Sequence, residues 1–233
     1  MKRDALYGGW FSFLPRVKAF VTETVFPEHA VCRTCGKISE GGLLCDECKG
    51  KLLADGMTFA WDREELESGL DAYTLRPHTG VARQLVLQLK HKAEKCIADE
   101  LADLILPVPK HISFDPATVV TWVPMPESRK RERCIDHGQR LAEAAAERLG
   151  LPCRALLVRL ETKEKPQATL GQKDREANLA RAFRPAGKIS FPVLLVDDVL
   201  TTGTTARRCA QALREGGAED ITVLAFTRAV GRN

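Results

Sequence analysis

The stretch of the chain with the clearest chemistry covers residues 193–205 and reads VLLVDDVLTTGTT. Its apolar residues predict a buried strand that carries Asp197 and Asp198 to its carboxyl end, where open α/β sheets bind ligands. A loop of threonines around Gly203 then leads into a predicted helix, so hydroxyls and backbone N–H groups meet a helix N-terminus, which suits a phosphate. Two carboxylates would repel a nearby phosphate unless they bound sugar hydroxyls or a divalent cation. The segment predicts a ligand with a phosphate and a polyol; the alternative is a strand–turn–helix with incidental acids.

Four of the eight cysteines form two CxxC pairs, which are Cys32 with Cys35 and Cys45 with Cys48. The two-residue gap lets both thiolates of a pair face one ion, and two pairs complete a tetrahedral Zn²⁺ site of four sulfurs. A closed site of this kind is structural. Redox CxxC motifs and disulfides are the alternatives, although neither explains two pairs so close together. The remaining cysteines are scattered, which suits a reducing cytosol.

The composition predicts a globular protein with a real core. The chain has 233 residues, of which 44% are hydrophobic, and a net charge of +4, which neither requires nor excludes a polyanionic partner. No apolar run approaches the ~18 residues that span a bilayer, and the first residues lack a secretory signal pattern. We therefore expect a cytoplasmic location without stable membrane insertion.

Strands and helices alternate along the chain from about residue 70, which predicts an α/β domain with a mainly parallel sheet flanked by helices. An amphipathic helix is expected near the N-terminus, over residues 6–21, and a polar, lysine-rich loop over residues 161–173. The expected strands cover residues 70–75, 119–123, 155–160, 191–196 and 221–226, and the expected helices cover residues 81–106, 137–149 and 205–213.

Residues 193–205 closely resemble the motif with which type I phosphoribosyltransferases bind 5-phosphoribosyl-1-pyrophosphate (PRPP). The resemblance implies the type I phosphoribosyltransferase fold, in which Asp197 and Asp198 hold the ribose hydroxyls and Mg²⁺ accompanies the ligand. It also implies a loop around the 5′-phosphate, formed by Thr201, Thr202, Gly203, Thr204 and Thr205.

Joined to the paired cysteines, this motif resembles the arrangement of the ComF/GntX family. Residues 87–91 (LQLKH) and 123–126 (VPMP) resemble two further segments of that family. Members commonly have Gly and Phe where this chain has Cys134 and Ile135. The resemblance implies two domains: residues 1–55 with an N-terminal helix and a small zinc-binding module, and residues 56–233 with the phosphoribosyltransferase-like fold.

An arginine-rich turn follows the VPMP segment, and by the same resemblance it holds the pyrophosphate through Arg129, Arg131 and Arg133. The alternative is a solvated basic turn. Residues 161–175 are the candidate lid over the reaction centre. No partner is evident for the histidines, so ordinary surface or core roles are expected for His78, His111 and His137.

Three functions fit these observations. The first is Mg²⁺-dependent transfer of a phosphoribosyl group from PRPP to an acceptor that the sequence does not identify. The ComF resemblance implies a role in DNA uptake during natural competence, so the second is a competence protein that handles single-stranded DNA with other competence proteins. The third is a sensor that binds PRPP without turnover.

Overall fold

The computed structural model describes residues 31–39, 42–54, 61–67, 69–92, 95–106, 108–133, 135–160 and 182–230. These residues fall into two compact units, one up to Gly50 and one from Lys51 onward. The helix expected over residues 6–21 and the lid expected over residues 161–175 lie outside the described residues. The domain boundary expected after residue 55 stays a prediction.

A five-stranded sheet is the centre of the larger unit, in the order β1-β2-β7-β6-β3. Strand β2 pairs in parallel with β7, β7 with β6, and β6 with β3, whereas β1 is an antiparallel edge strand. A separate two-stranded antiparallel sheet joins β4 and β5. The strands are β1 Asp62–Leu66, β2 Leu70–Pro77, β3 Val119–Trp122, β4 Leu157–Arg159, β5 Phe183–Pro185, β6 Val193–Leu200 and β7 Ile221–Arg228.

Helices cover both faces of the five-stranded sheet. On one face, Leu195 of β6 packs with Cys209 and Leu213 in a buried apolar cluster. On the opposite face, two helices contact the sheet, one of them β2 and the other β3 and β6. The helices are α1 Asp46–Ala54, α2 Gly80–Lys92, α3 Lys95–Ala102, α4 Glu127–Arg133, α5 His137–Leu149 and α6 Thr204–Glu215.

The prediction of a mainly parallel sheet flanked by helices is confirmed. Gly150 ends α5 in the left-handed conformation, with φ of 66°, as its position after the predicted helix suggested. Strand β1 (DREEL) was not predicted, because its charged residues lack the apolar alternation of a buried strand. The arginine-rich segment is helix α4 rather than a turn. Within the described part of the chain, no helix is long and apolar enough to span a membrane.

Candidate functional site

Asp197 and Asp198 lie in the last half of β6, at the carboxyl ends of the parallel strands. Successive strand residues point to opposite faces of a sheet, so the two carboxylates leave β6 on different sides. The backbone N–H of Asp198 donates to Asp197 Oδ1 over 2.9 Å. The prediction that a buried strand delivers both acids to this edge agrees with the structure.

A lysine ammonium group and a histidine ring both lie next to the Asp198 side chain, which is only 9% exposed. Lys90 Nζ, from α2, lies 3.0 Å from Asp198 Oδ2. His137 Nε2, from the first residue of α5, lies 3.2 Å from the same oxygen. Asp136 caps α5 by accepting hydrogen bonds from the backbone of the first helical turn, which fixes where His137 begins the helix.

The two acids differ in how easily they ionise. Burial and then the neighbouring charge of Asp198 raise the pKa of Asp197 to about 7. Burial also acts to raise the pKa of Asp198, but the hydrogen bond from His137 and the charge of Lys90 outweigh it and lower the pKa. Asp198 is therefore the stronger acid of the pair, and Asp197 is the weaker one.

The loop after β6 leads into an open helix N-terminus. Gly203 is the N-cap of α6 and supplies no side-chain cap, so its first turn carries N–H groups without the usual side-chain partner. Thr202 Oγ1 and Thr204 Oγ1 lie 2.9 Å apart, and Arg207 Nη2 donates to Thr204 Oγ1 over 3.2 Å. Hydroxyls, N–H groups and a guanidinium thus meet at one helix end, which suits an anion.

Gly203 cannot be replaced without strain. Its φ is 72°, a left-handed conformation that L side chains rarely adopt, and a Cβ built on it would lie 2.9 Å from Leu66 Cδ2. Thr204 is already the first residue of α6. The loop therefore depends on one glycine for its turn.

The three predicted pyrophosphate ligands belong to α4, which follows β3. Because β3 and β6 are parallel, with Trp122 opposite Val196, α4 begins at the same edge of the sheet as the two acids. Arg129 and Arg131 are exposed. The side chain of Arg133 lies outside the described residues.

The smaller unit brings the four paired cysteines together. The sulfurs of Cys32, Cys35, Cys45 and Cys48 all lie within 4.8 Å of one another. The Cys35 and Cys45 sulfurs are 3.6 Å apart, and a tetrahedral ion with Zn–S bonds of about 2.3 Å would place them about 3.8 Å apart. The tight turn after the first pair uses Gly36, whose φ is 75°. The donor set and its spacing fit one Zn²⁺.

The protonation of the cluster is uneven. Burial acts to raise the pKa of Cys32, but backbone hydrogen bonds, the strongest from Cys45, outweigh it and lower the pKa to about 6. Burial and the other thiols raise the pKa of Cys48 to about 12. Amide groups that point at a sulfur stabilise a thiolate, the form that binds a metal. The fold of this unit thus prepares at least one sulfur for an ion.

Sequence reasoning missed several residues of the site. His78 and His137 were expected to have ordinary surface or core roles, yet His137 contacts Asp198, and His78 contacts Thr227, which donates to the Asp198 carbonyl. Lys90 and Arg207 were not singled out as site residues. The only signal for Lys90 was its place in the LQLKH segment. Apart from Arg207, which directly follows the threonine loop, these groups come from distant parts of the chain, so no local pattern marks them.

The chain has the type I phosphoribosyltransferase fold, here with an N-terminal four-cysteine cluster. Its features are a mainly parallel sheet with helices on both faces, two acids near the carboxyl end of an interior strand, and a threonine loop that leads into a helix. No family model matches the chain. The chain is 35% identical to Competence protein F of Haemophilus influenzae over 111 residues, 46% of this chain and 48% of that protein. Together with the four-cysteine cluster, this match supports a ComF-like phosphoribosyltransferase family for the chain.

A second relative is orotate phosphoribosyltransferase of Pyrococcus furiosus, 34% identical over 89 residues, which are 38% of this chain and 48% of that protein. The chain thus spans about half the length of both curated relatives. Among solved structures, orotate phosphoribosyltransferase of Mycobacterium tuberculosis, determined in complex with Fe(III) dicitrate, is 18% identical with a TM-score of 0.37. That alignment covers 77% of this chain and 82% of that one.

Proposed function

We propose that this protein binds PRPP together with Mg²⁺ and transfers its phosphoribosyl group to a nitrogen nucleophile. The observation that carries the proposal is the succession of two carboxylates, Asp197 and Asp198, and the uncapped helix end at Gly203. Carboxylates accept hydrogen bonds from ribose hydroxyls, and an open helix end binds a phosphate. A phosphorylated pentose offers both groups in one molecule.

Each part of PRPP has a partner in this proposal. Asp197 and Asp198 take the ribose hydroxyls, and the loop formed by residues 201–205 takes the 5′-phosphate. Arg129, Arg131 and Arg133 take the pyrophosphate. As the bond from C1 to the pyrophosphate oxygen breaks, negative charge develops on the leaving pyrophosphate and positive charge on the sugar. Cations next to the pyrophosphate stabilise its negative charge.

The residues present fit Mg²⁺. Carboxylates are ligands that Mg²⁺ prefers, and it commonly shares them with substrate phosphates. Burial, and after it the charge of Asp198, raise the pKa of Asp197 to about 7, and a nearby divalent cation would favour the ionised form of both acids. When bound, Mg²⁺ supplies charge neutralisation for the leaving pyrophosphate.

We further propose that residues 1–55 form a structural zinc module and that residues 56–233 form the PRPP-binding domain. The four thiols within 4.8 Å of one another support the zinc. The described cysteines are all free thiols, which supports a cytoplasmic location.

A second candidate is the handling of single-stranded DNA with other competence proteins. Two observations favour it: the match to Competence protein F and a basic groove of about 510 Å³ along α6. Three arginines line the groove together with one acid, Glu67, which pairs with Arg207 over 2.8 Å; the lining residues are Glu67, Leu70, Thr204, Arg207, Arg208, Gln211 and Arg214. Guanidinium groups along a groove suit the phosphates of a nucleic-acid chain.

Isothermal titration separates the candidates. We expect PRPP to bind with Mg²⁺ and to bind much more weakly with EDTA in its place. A single-stranded oligonucleotide titrated at two salt concentrations tests the second candidate, because phosphate contacts weaken steeply as salt rises. DNA binding without PRPP binding would contradict our proposal in favour of the second candidate. PRPP binding without pyrophosphate release in the presence of any acceptor would indicate a sensor.

A further inference from the structure

His78 is held at the carboxyl end of β2, against the end of β7. It follows β2 directly, and its backbone N–H donates to the carbonyl of Arg228 at the end of β7 over 2.7 Å. Its ring Nδ1 lies 2.9 Å from Thr227 Oγ1. The hydroxyl of Thr227 in turn donates to the Asp198 carbonyl oxygen over 2.9 Å. A chain of two hydrogen bonds therefore links the His78 ring to the β6 backbone at Asp198.

The direction of these bonds assigns the tautomer of His78. A carbonyl oxygen only accepts, so the single hydroxyl hydrogen of Thr227 is committed to Asp198. Toward His78 the same hydroxyl can then only accept, which requires a hydrogen on Nδ1. In a neutral imidazole with Nδ1–H, Nε2 carries the lone pair. His78 Nε2 has no hydrogen-bond partner among the described residues.

The surroundings keep the ring neutral. Burial lowers the pKa of His78, and the charges of Lys90 and Arg83 on α2 lower it further, against the attraction of Asp198 on β6. An imidazole that is neutral at physiological pH and fixed in one tautomer can accept a proton without first losing one.

We infer that His78 is the proton acceptor of the site, with Nε2 receiving the hydrogen of the incoming nucleophile. This inference rests on the proposed function. The nucleophile's N–H nitrogen forms a bond to C1 of the sugar, and the bond from C1 to the pyrophosphate oxygen breaks. Its electron pair leaves with pyrophosphate, and the N–H proton moves to His78 Nε2. The acceptor is thus a nitrogen nucleophile that carries a hydrogen, not a tertiary amine.

The tautomer can be measured without any ligand. In full-length protein labelled with ¹⁵N-histidine, long-range ¹H–¹⁵N correlation distinguishes an Nδ1–H ring from an Nε2–H ring and from an imidazolium. The signals of His78 are assigned by their loss in His78→Asn. At neutral pH we expect a neutral Nδ1–H ring, and we expect Thr227→Val to move the ring toward Nε2–H. An Nε2–H ring or an imidazolium in the unmodified protein overturns the inference.

Two substitutions test the proton transfer. In His78→Asn the side-chain amide can still donate to Thr227, but nothing replaces Nε2; His111→Asn makes the same change at an exposed position. The assay measures Mg²⁺-dependent pyrophosphate release from PRPP with ammonia as the nucleophile, alongside PRPP affinity by titration. We expect His78→Asn to release pyrophosphate about 100-fold more slowly, the low end for a general base, with unchanged PRPP affinity, and His111→Asn to behave like the unmodified protein.

The outcomes separate this inference from the proposed function. Unchanged release by His78→Asn, or no release by the unmodified protein although it binds PRPP, overturns the role of His78 and leaves PRPP binding standing. If the unmodified protein does not bind PRPP, the proposed function fails and the role of His78 fails with it.

Discussion

Lys90 Nζ lies 3.0 Å from Asp198 Oδ2, so a cation on helix α2 neutralises a carboxylate on β6 that is more than a hundred residues away in the chain. The contact, together with the hydrogen bond from His137, lowers the pKa of Asp198 although burial acts to raise it. The protein thus holds an anion at the edge of its sheet and keeps it ionised.

Replacing Lys90 with Met keeps the apolar stem and removes the charge. We expect the free energy of unfolding at about pH 7 to fall by roughly 1–3 kcal/mol, the range for losing a hydrogen-bond partner of a buried charged group. Ionised Asp198 stabilises the fold above the unfolded aspartate pKa of about 3.9, and this stabilisation is lost as the pH falls through the lower folded pKa. The cost of Lys90→Met is therefore expected to shrink toward about pH 3.

Urea unfolding at both pH values measures this cost. Lys130→Met is the control, because Lys130 lies 3.9 Å from Glu127 in a pair that is about half exposed and contributes little. A cost for Lys90→Met that is equal at both pH values would show that the charge of Lys90 does not act through Asp198.

Asp198→Asn tests whether Asp198 binds the ribose of PRPP. If Asp198 binds the ribose hydroxyls, directly or through Mg²⁺, the change weakens PRPP binding by roughly 1.5–3 kcal/mol, which is about 10- to 150-fold in Kd. Titration measures the affinity, and Asp62→Asn, at the exposed start of β1, is the control. Thermal melts with and without PRPP provide the second measurement. If the variant has a lower Tm, yet PRPP raises its Tm as much as that of the unmodified protein, Asp198 has a structural role and does not bind the ligand.

Asp197→Asn tests the titrating acid. Burial raises the pKa of Asp197 to about 7, well above the unfolded value of about 3.9. Between these values the unfolded chain is ionised and the folded chain is protonated, so Asp197 costs stability progressively as the pH rises. We expect Asp197→Asn to unfold at higher urea than the unmodified protein at about pH 8, and the gain to disappear toward about pH 4. A pH-independent difference would contradict the raised pKa.

The zinc proposal predicts one Zn²⁺ per chain in protein purified without added metal. Cys45→Ser removes one of four ligands, so we expect it to release the metal and to unfold the smaller unit, because a metal site supplies much of the folding free energy of so small a segment. Elemental analysis and limited proteolysis measure both effects. Cys153→Ser makes the same change outside the cluster and should keep the metal. A metal-free chain with a protease-resistant smaller unit would refute the proposal.

The arginines of α4 are tested by charge reversal. We expect Arg131→Glu with Arg133→Glu to weaken PRPP binding at least tenfold and to make the remaining binding less sensitive to salt, since fewer cations face the phosphates. The control is Arg154→Glu with Arg184→Glu, which changes the net charge by the same amount at two exposed arginines outside α4. We expect this control to bind PRPP like the unmodified protein. If both double variants bind PRPP alike, the α4 arginines are a solvated basic segment.

The parts of the site that the sequence determined by itself are contiguous in the chain. Residues 193–205 encode a buried strand, two acids and a glycine-dependent helix start through local periodicity and turn chemistry. The structure has all three, although β6 extends through both acids to Leu200 and α6 begins at Thr204. The two CxxC pairs are equally local, because a two-residue gap places both thiols of a pair on one knuckle. Strand β1 was not predicted, because its charged sequence has no strand pattern of its own. It is a strand because it pairs with β2 at the edge of the sheet.

Only the tertiary structure decided which groups surround the acids. Lys90 comes from the last turn of α2, His137 from the first residue of α5, and His78 from the residue after β2. They converge near the edge of the sheet where the parallel strands end. A histidine in a sequence has no visible partner when that partner is dozens of residues away. The charge state of Asp198 depends on those long-range contacts, and the tautomer of His78 depends on the register that places Thr227 beside it.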